Sequence, residues 1–196
     1  MRPDLYAATP PSECLRLMIN RLASNKKLKM MYADVSRAYF YAKAVRPVYV
    51  KLPAEDSLEG QDGGKCGELL MSMYGTRDAA LIWSLEYTNT LLQDGYVQGK
   101  ASSCLFRHPK SKAIIMVHGD DFIAIGTDES LTATRKTVEN KYKLKVETLG
   151  GGDECTREVR ILNKIMRWAD EGIELEADLR HAEIVVKELG LEDRDR

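Results

Sequence analysis

Three aspartates carry the most chemistry in this sequence. Asp120 and Asp121 sit inside Ile114-Ile115-Met116-Val117-His118-Gly119-Asp120-Asp121-Phe122-Ile123-Ala124-Ile125, and Asp34 closes the stretch Met30-Met31-Tyr32-Ala33 just ahead of Val35. Two apolar strands around Gly-Asp make a tight hairpin, where both residue types are common for backbone reasons alone. Asp34 by itself reads equally as a helix N-cap or a turn residue. Taken together the three allow more. Carboxylates at the ends of neighbouring central strands converge at one sheet edge, and two unit charges about 4 Å apart repel by roughly 4 kcal/mol at an effective dielectric near 20. Such a cluster either shares a proton or binds a cation. Hard oxygen ligands, few and open to solvent, suit Mg²⁺ or Mn²⁺ bridged to the phosphates of a substrate.

The elements that must position them can be read from periodicity. Thr9-Pro10-Pro11-Ser12-Glu13 supplies a capping and proline start signal, Leu15, Met18, Ile19 and Leu22 repeat at helical spacing, and Ser24-Asn25 closes that helix. Leu28 to Val35 reads as a strand, and the Pro- and Gly-rich segment Arg46 to Gly67 as short strands and loops, with Val48–Leu52 an edge strand. A second helix is predicted from about Asp78 to Asp94, with Ala80, Trp83, Tyr87 and Leu91 on one face. Three meandering strands follow: Ser103–Arg107, Ala113–Val117 and Phe122–Ile125. Asp128 is expected to cap a third helix carrying Leu131, Arg135, Val138 and Tyr142. After Gly150-Gly151-Gly152, Val159–Trp168 and Ile173–Leu175 read as a hairpin, and Asp178 as the cap of a last helix. This order is that of an α+β fold: an antiparallel sheet in split β-α-β arrangement with helices packed on one face.

Composition narrows the function classes. The 196 residues are 44% hydrophobic and 30% charged, with net charge −1, so a uniformly basic nucleic-acid-coating protein is excluded, while a local basic cleft stays open. Lys26-Lys27-Leu28-Lys29 and Lys141-Tyr142-Lys143-Leu144-Lys145 read first as solvated faces, and functionally as phosphate contacts along a nucleic acid. Cys14, Cys66, Cys104 and Cys155 are far apart and lack the C-x-x-C spacing of a zinc site; reduced thiols and an intracellular location, cytoplasmic or nuclear, are expected. Apolar runs such as Ala79–Trp83 are too short to cross a bilayer, and Met1-Arg2-Pro3-Asp4 leads into no signal peptide, so a soluble chain without a membrane partner is expected.

The residues around the aspartates resemble those of copia-type retrotransposon reverse transcriptases. Asp34-Val35-Ser36-Arg37-Ala38-Tyr39 resembles their Asp-Val-x-x-Ala-aromatic motif, and Ser72-Met73-Tyr74-Gly75-Thr76-Arg77-Asp78-Ala79-Ala80-Leu81-Ile82-Trp83 their Tyr-Gly-Leu-Lys-Gln-x-Pro-x-x-Trp segment. Val117-His118-Gly119-Asp120-Asp121 stands where they carry Tyr-Val-Asp-Asp, and Gly95-Tyr96 with Ser103-Cys104-Leu105-Phe106 is similar to their Gly-Phe…Asp-x-Cys-Leu-Phe pattern. Four motifs in order span nearly the whole chain, from about Tyr6 to Leu191.

The resemblance implies an RNA-directed DNA polymerase that transfers a nucleotide from a dNTP to a primer 3′-hydroxyl on an RNA or DNA template, by two-metal catalysis with Mg²⁺ or Mn²⁺. Asp34 and Asp120 would hold both ions, with the Val35 carbonyl as a further ligand and Asp121 as a weaker participant. The Arg37 and Ala38 amides, with Ser36 beside them, would meet the triphosphate, and Tyr39 would lie under the sugar and exclude a 2′-hydroxyl. Arg77 and Asp78 would lie near the incoming nucleotide; Asp78 replaces the family's Gln, with Arg77 placed to offset its charge. The implied domains are a palm with partial fingers over residues 1–157, including a fingers-like insert at about 42–70, and a primer-grip hairpin with the start of a thumb over 158–196. Most of the fingers and thumb, and the ribonuclease H and integrase parts of a larger Pol polyprotein, are expected to lie outside the chain.

The sequence offers two further readings. Gly151-Gly152-Asp153-Glu154-Cys155 mimics the Gly-Gly-Asp-Glu-Phe turn of diguanylate cyclases, but Cys155 breaks the pattern and polar Thr156-Arg157-Glu158 follows, so a loop is the better reading. The alternative to an active polymerase is a catalytically inactive, truncated transposon remnant that acts at most as a nucleic-acid-binding module.

Overall fold

The computed structural model describes residues 7–53, 65–176 and 179–191. In chain order the elements are α1 (Ser12–Ala23), β1 (Lys29–Val35), a 3₁₀ turn (Ala38–Tyr41), β2 (Tyr49–Lys51), β3 (Cys66–Glu68), α2 (Ala79–Gln93), β4 (Val97–Gln98), β5 (Leu105–Arg107), β6 (Ile114–His118), β7 (Asp121–Gly126), α3 (Asp128–Glu139), β8 (Leu144–Leu149), β9 (Glu158–Ile161), β10 (Lys164–Trp168), β11 (Ile173–Glu176) and α4 (Leu179–Glu188). Six strands form one antiparallel sheet in the order β4-β5-β6-β7-β1-β8, and β11-β10-β9 and β2-β3 make two smaller sheets. The fold is α+β with antiparallel sheets, as the sequence pattern indicates.

The central strands are apolar on both faces because both faces are covered. Successive residues of a strand point to opposite sides. Met31, Ala33 and Val35 of β1 join Trp83, Tyr87 and Leu91 of α2 and Leu131 and Val138 of α3 in one core. Met30, with Ile123 and Ile125 of β7, joins Leu15, Met18 and Leu22 of α1 and Val159, Ile161 and Met166 of the three-stranded sheet in a second. The expectation that the helices share one face is therefore corrected. Only α2 and α3 do so; α1 and β9–β11 cover the reverse side. An all-on-one-face arrangement would have exposed Met30, Ile123 and Ile125, which are buried.

Three local readings also change. Thr127, not Asp128, is the N-cap of α3, its hydroxyl accepting from the Ser130 amide; Asp128 sits in the first turn and pairs with Lys29 at 2.7 Å. Val159–Trp168 is not one strand: Leu162 and Asn163 both have positive φ (49° and 63°) and turn the chain between β9 and β10, as a two-residue primed turn does. Tyr142 lies beyond the end of α3 but is still buried. The cap expected at Asp178, and the part of the 42–70 insert at 54–64, lie outside the described residues. All four cysteines are free. No helix among the described residues is long and apolar enough to cross a membrane.

Candidate active site

Register brings the aspartates to one end of the main sheet. Asp34, next to last in β1, is the direct partner of Asp121, first in β7. Asp34 also faces Lys145 of β8, and Asp121 faces His118 of β6. Directly paired residues share a face, so Lys145, Asp34, Asp121 and His118 form one row across four strands. Asp120 sits in the β6–β7 turn, where its carbonyl accepts from the Val35 amide at 3.0 Å and ties the hairpin tip to the end of β1. The turn has positive φ at Gly119 (61°) and not at Asp120, the pattern in which glycine takes the first central position. The indole N–H of Trp83, in α2, donates to the Gly119 carbonyl at 2.9 Å and anchors the tip from the other side.

Two carboxylates are engaged by tyrosines. The Tyr32 hydroxyl donates to Asp121 Oδ1 at 2.6 Å, and the Tyr74 hydroxyl donates to Asp120 Oδ2 at 2.9 Å. Burial, then the hydrogen bond to Asp121 and the negative charges of Asp121, Asp34 and Glu147, push the Tyr32 phenol well above its usual range. Burial and the Asp120 carboxylate push Tyr74 up to about 12, against the Tyr39 and Ala38 backbone amides, which act the other way. Asp120 itself titrates above the ordinary carboxylate range. Burial is the main cause; the Tyr74 hydrogen bond opposes it, and the charges of Asp121 and Asp34 add to it. The three carboxylates thus interact through space.

Beyond β1 the chain turns sharply. Arg37, though not glycine, has φ of +59° and feeds the 3₁₀ turn. The Ser36 amide donates to the Lys143 carbonyl at 2.9 Å, and the Lys143 amide to the Tyr41 hydroxyl at 2.9 Å. A cleft of about 600 Å³ opens here, lined by Ser36, Arg37, Phe40, Tyr41, Leu144 and the cationic Lys143 and Lys145. Tyr39 stacks on Tyr74 with ring centroids 4.3 Å apart, and both burial and Asp120 raise its phenol.

Asp34, Val35, Ser36, Arg37, Ala38, Tyr39, Asp120 and Asp121 are thus gathered at one end of the sheet. Arg77 and Asp78 are tied in differently. Asp78 is 7% exposed, and its carboxylate accepts from the Arg46 guanidinium at 2.8 and 3.2 Å. That pairing holds the Asp78 carboxyl below its usual range; Arg77, expected to offset the charge, is exposed and supplies the smallest of the attractions. Sequence reasoning passed over Tyr32, Tyr74 and Arg46. Tyr74 was within reach, because it lies in a quoted motif, and so was Tyr32, two residues from Asp34 on the same strand face. Arg46 carried no local signal.

The donors are of the oxygen type that a hard divalent cation takes: two carboxylates paired across adjacent strands and a third beside them whose proton affinity is raised by burial and by both charges. Convergence is what the side chains lack. Among the described residues no three His, Cys, Asp or Glu side chains form a group that could hold a metal ion.

Fold and site together define an antiparallel α+β domain that presents three carboxylates at the end of its two central strands. Comparison of sequences places it more narrowly. The chain belongs to the reverse transcriptase (RNA-dependent DNA polymerase) family, which it matches over residues 5–151. It is also similar to the retrovirus-related Pol polyprotein from transposon RE1 of Arabidopsis thaliana, at 25% identity over 130 residues, which are 65% of this chain and 9% of that polyprotein. The resemblance to retrotransposon reverse transcriptases read from the motifs is borne out. All three aspartates, and Tyr39, Tyr74 and Trp83, fall inside the matched segment.

Proposed function

We propose that this chain carries the catalytic centre of an RNA-directed DNA polymerase of a copia-type retrotransposon, transferring a nucleotide from a dNTP to a primer 3′-hydroxyl on an RNA or DNA template. The observation that carries the reading is the direct pairing of Asp34 with Asp121, with Asp120 held against the end of β1, inside the segment that matches the family. Asp34, Asp120 and Asp121, with the Val35 carbonyl, would hold two Mg²⁺ or Mn²⁺ ions. Bound there, the cations would lower the pKa of the primer hydroxyl and neutralise charge on the leaving pyrophosphate. The chain's own groups orient the reactants. The Arg37 and Ala38 amides and Ser36 meet the triphosphate, Tyr39 lies under the sugar, and the exposed Arg77 stands near the incoming nucleotide, whereas Asp78, buried and paired with Arg46, does not touch it. In this reading residues 1–157 are a palm with partial fingers, and 158–196 begin with a primer grip and lead into a thumb.

A second reading has one observation in its favour: the hydroxyls of Tyr32 and Tyr74 take up Asp121 and Asp120, and the carboxylates do not converge. A remnant that binds nucleic acid without catalysis would look the same. Mg²⁺-dependent primer extension on poly-A/oligo-dT, with Asp120→Asn beside the wild type, separates the two. The polymerase reading expects incorporation that falls to background in the variant. Salt-sensitive oligonucleotide binding with no incorporation by either protein supports the remnant instead.

A further inference from the structure

Tyr74 engages two of the groups that the proposed reaction needs. Its hydroxyl donates to Asp120 Oδ2 at 2.9 Å. Its ring lies on Tyr39 at 4.3 Å between centroids, tilted by 31°, with Phe40 edge-on at 6.0 Å. A hydroxyl hydrogen bonded to a carboxylate oxygen takes the lone pair that a cation would use. A ring stacked on Tyr39 covers the surface on which a sugar would rest.

The side chain is held by Asp120, by the Tyr39 and Ala38 amides and by its ring contacts, yet it lies at the surface, where it can rotate away. Tyr74 is 42% exposed and sits in the turn before α2, next to Gly75. Gly75 has φ of +87°, and nothing lies within 4 Å of the position a Cβ would take. The turn is pinned on its far side, where the Thr76 amide and hydroxyl both donate to the Met73 carbonyl. Rotation about the Tyr74 side-chain bonds would therefore release Asp120 without unfolding α2. Tyr32 differs: it is part of a central strand, between β7 and β8.

We propose that Tyr74 is a displaceable occupant of the site, competing through its hydroxyl with a divalent cation for Asp120 and through its ring with the nucleotide for Tyr39. The proposal rests on the polymerase reading of Asp120 and Tyr39, and it makes Tyr74 a positioning residue that sets how readily the site loads. It also accounts for the missing convergence of the carboxylates: with Asp120 held by the phenol, the side chains have no reason to gather.

The test is Mn²⁺ binding to the full chain, followed by the loss of the free-ion electron paramagnetic resonance signal. Tyr74→Phe keeps the ring on Tyr39 and removes only the hydroxyl, so unchanged circular dichroism is expected. Its Mn²⁺ affinity should rise by about tenfold, the release of one charge-assisted hydrogen bond from competition. The exposed Tyr49→Phe should bind as the wild type does, and Asp120→Asn in the Tyr74→Phe background should abolish the gain. Equal or weaker binding by Tyr74→Phe overturns the proposal and leaves the polymerase reading standing. A gain that survives Asp120→Asn also overturns it, because the ion is then held elsewhere. Absence of binding by every protein overturns both.

Discussion

The surroundings of Asp120 oppose its ionisation. Burial raises its pKa, the charges of Asp121 and Asp34 raise it further, and the Tyr74 hydroxyl offsets only part of this. A carboxyl whose pKa is higher in the folded than in the unfolded chain contributes stability that is complete below its ordinary value of 3.8 and is lost as pH rises through the folded value. At neutral pH the ionised group is therefore a liability to the fold. Asp120→Asn, which keeps the shape and the acceptor for Tyr74, should therefore melt above the wild type at pH 7. The gain should shrink towards zero as the pH falls below 3.8. Calorimetry of both proteins across that range checks it, and a variant less stable at pH 7 would mean that the Tyr74 hydrogen bond outweighs burial and the neighbouring charges. A substitution that raises stability while abolishing the proposed incorporation would fit a group kept for chemistry at the expense of the fold.

At the scale of elements, the hairpin tip is fixed from two sides, by the Val35 amide on Asp120 and by the Trp83 indole on Gly119. Trp83 is 1% exposed, and it packs edge-on against Tyr142 at 5.0 Å, Tyr87 at 5.6 Å and Phe122 at 6.3 Å. Trp83→Ala should cost about 3–5 kcal/mol, and Trp83→Phe about 1–2 kcal/mol for the lost hydrogen bond and a smaller void. Urea unfolding with an unchanged m-value measures both. A Phe variant as stable as the wild type would show that the indole bond does not hold the tip. Trp83 was legible as an apolar helix position, but its bond to the hairpin was not, because it joins residues 36 apart in sequence. The same division runs through the chain. Helical spacing placed α1 and α2 within a residue or two, and two apolar runs around a Gly-Asp turn placed β6 and β7. The break at Leu162-Asn163 escaped because the pair, with a leucine first and no glycine, is not one of the Asn-Gly or Gly-Gly pairs that usually take two positive φ angles. Arg37 escaped for the same reason. The second layer of α1 and β9–β11 escaped because periodicity tells which face of an element is buried, and not on which side of a sheet it lies.

Across the whole molecule, charge is nearly balanced at −1, so any affinity for nucleic acid must come from local concentration of cations. The segment Lys141–Lys145 read in sequence as a solvated basic face, and it divides in the fold. Lys141 pairs with Glu86 at 3.2 Å, Tyr142 is buried, and Lys143 and Lys145 line the cleft with Arg37, Phe40 and Tyr41. Three cations beside two aromatic rings, adjoining the carboxylate end of the sheet, suit a phosphate backbone that passes the proposed site. Lys145 is also the cross-strand partner of Asp34, which sets it at the carboxylate end of the sheet. If both lysines meet phosphates, replacing them together by Gln should lower the slope of log affinity against log salt by about 1.4–1.8, at roughly 0.7 per contact on single strands and 0.9 on duplex. Anisotropy of a labelled primer–template between about 50 and 200 mM salt, the range over which such contacts separate, gives the slope directly. A fall of about half that size would assign the contact to one lysine alone. An unchanged slope would place the nucleic acid elsewhere on the molecule, and with it the path by which a primer end reaches Asp120.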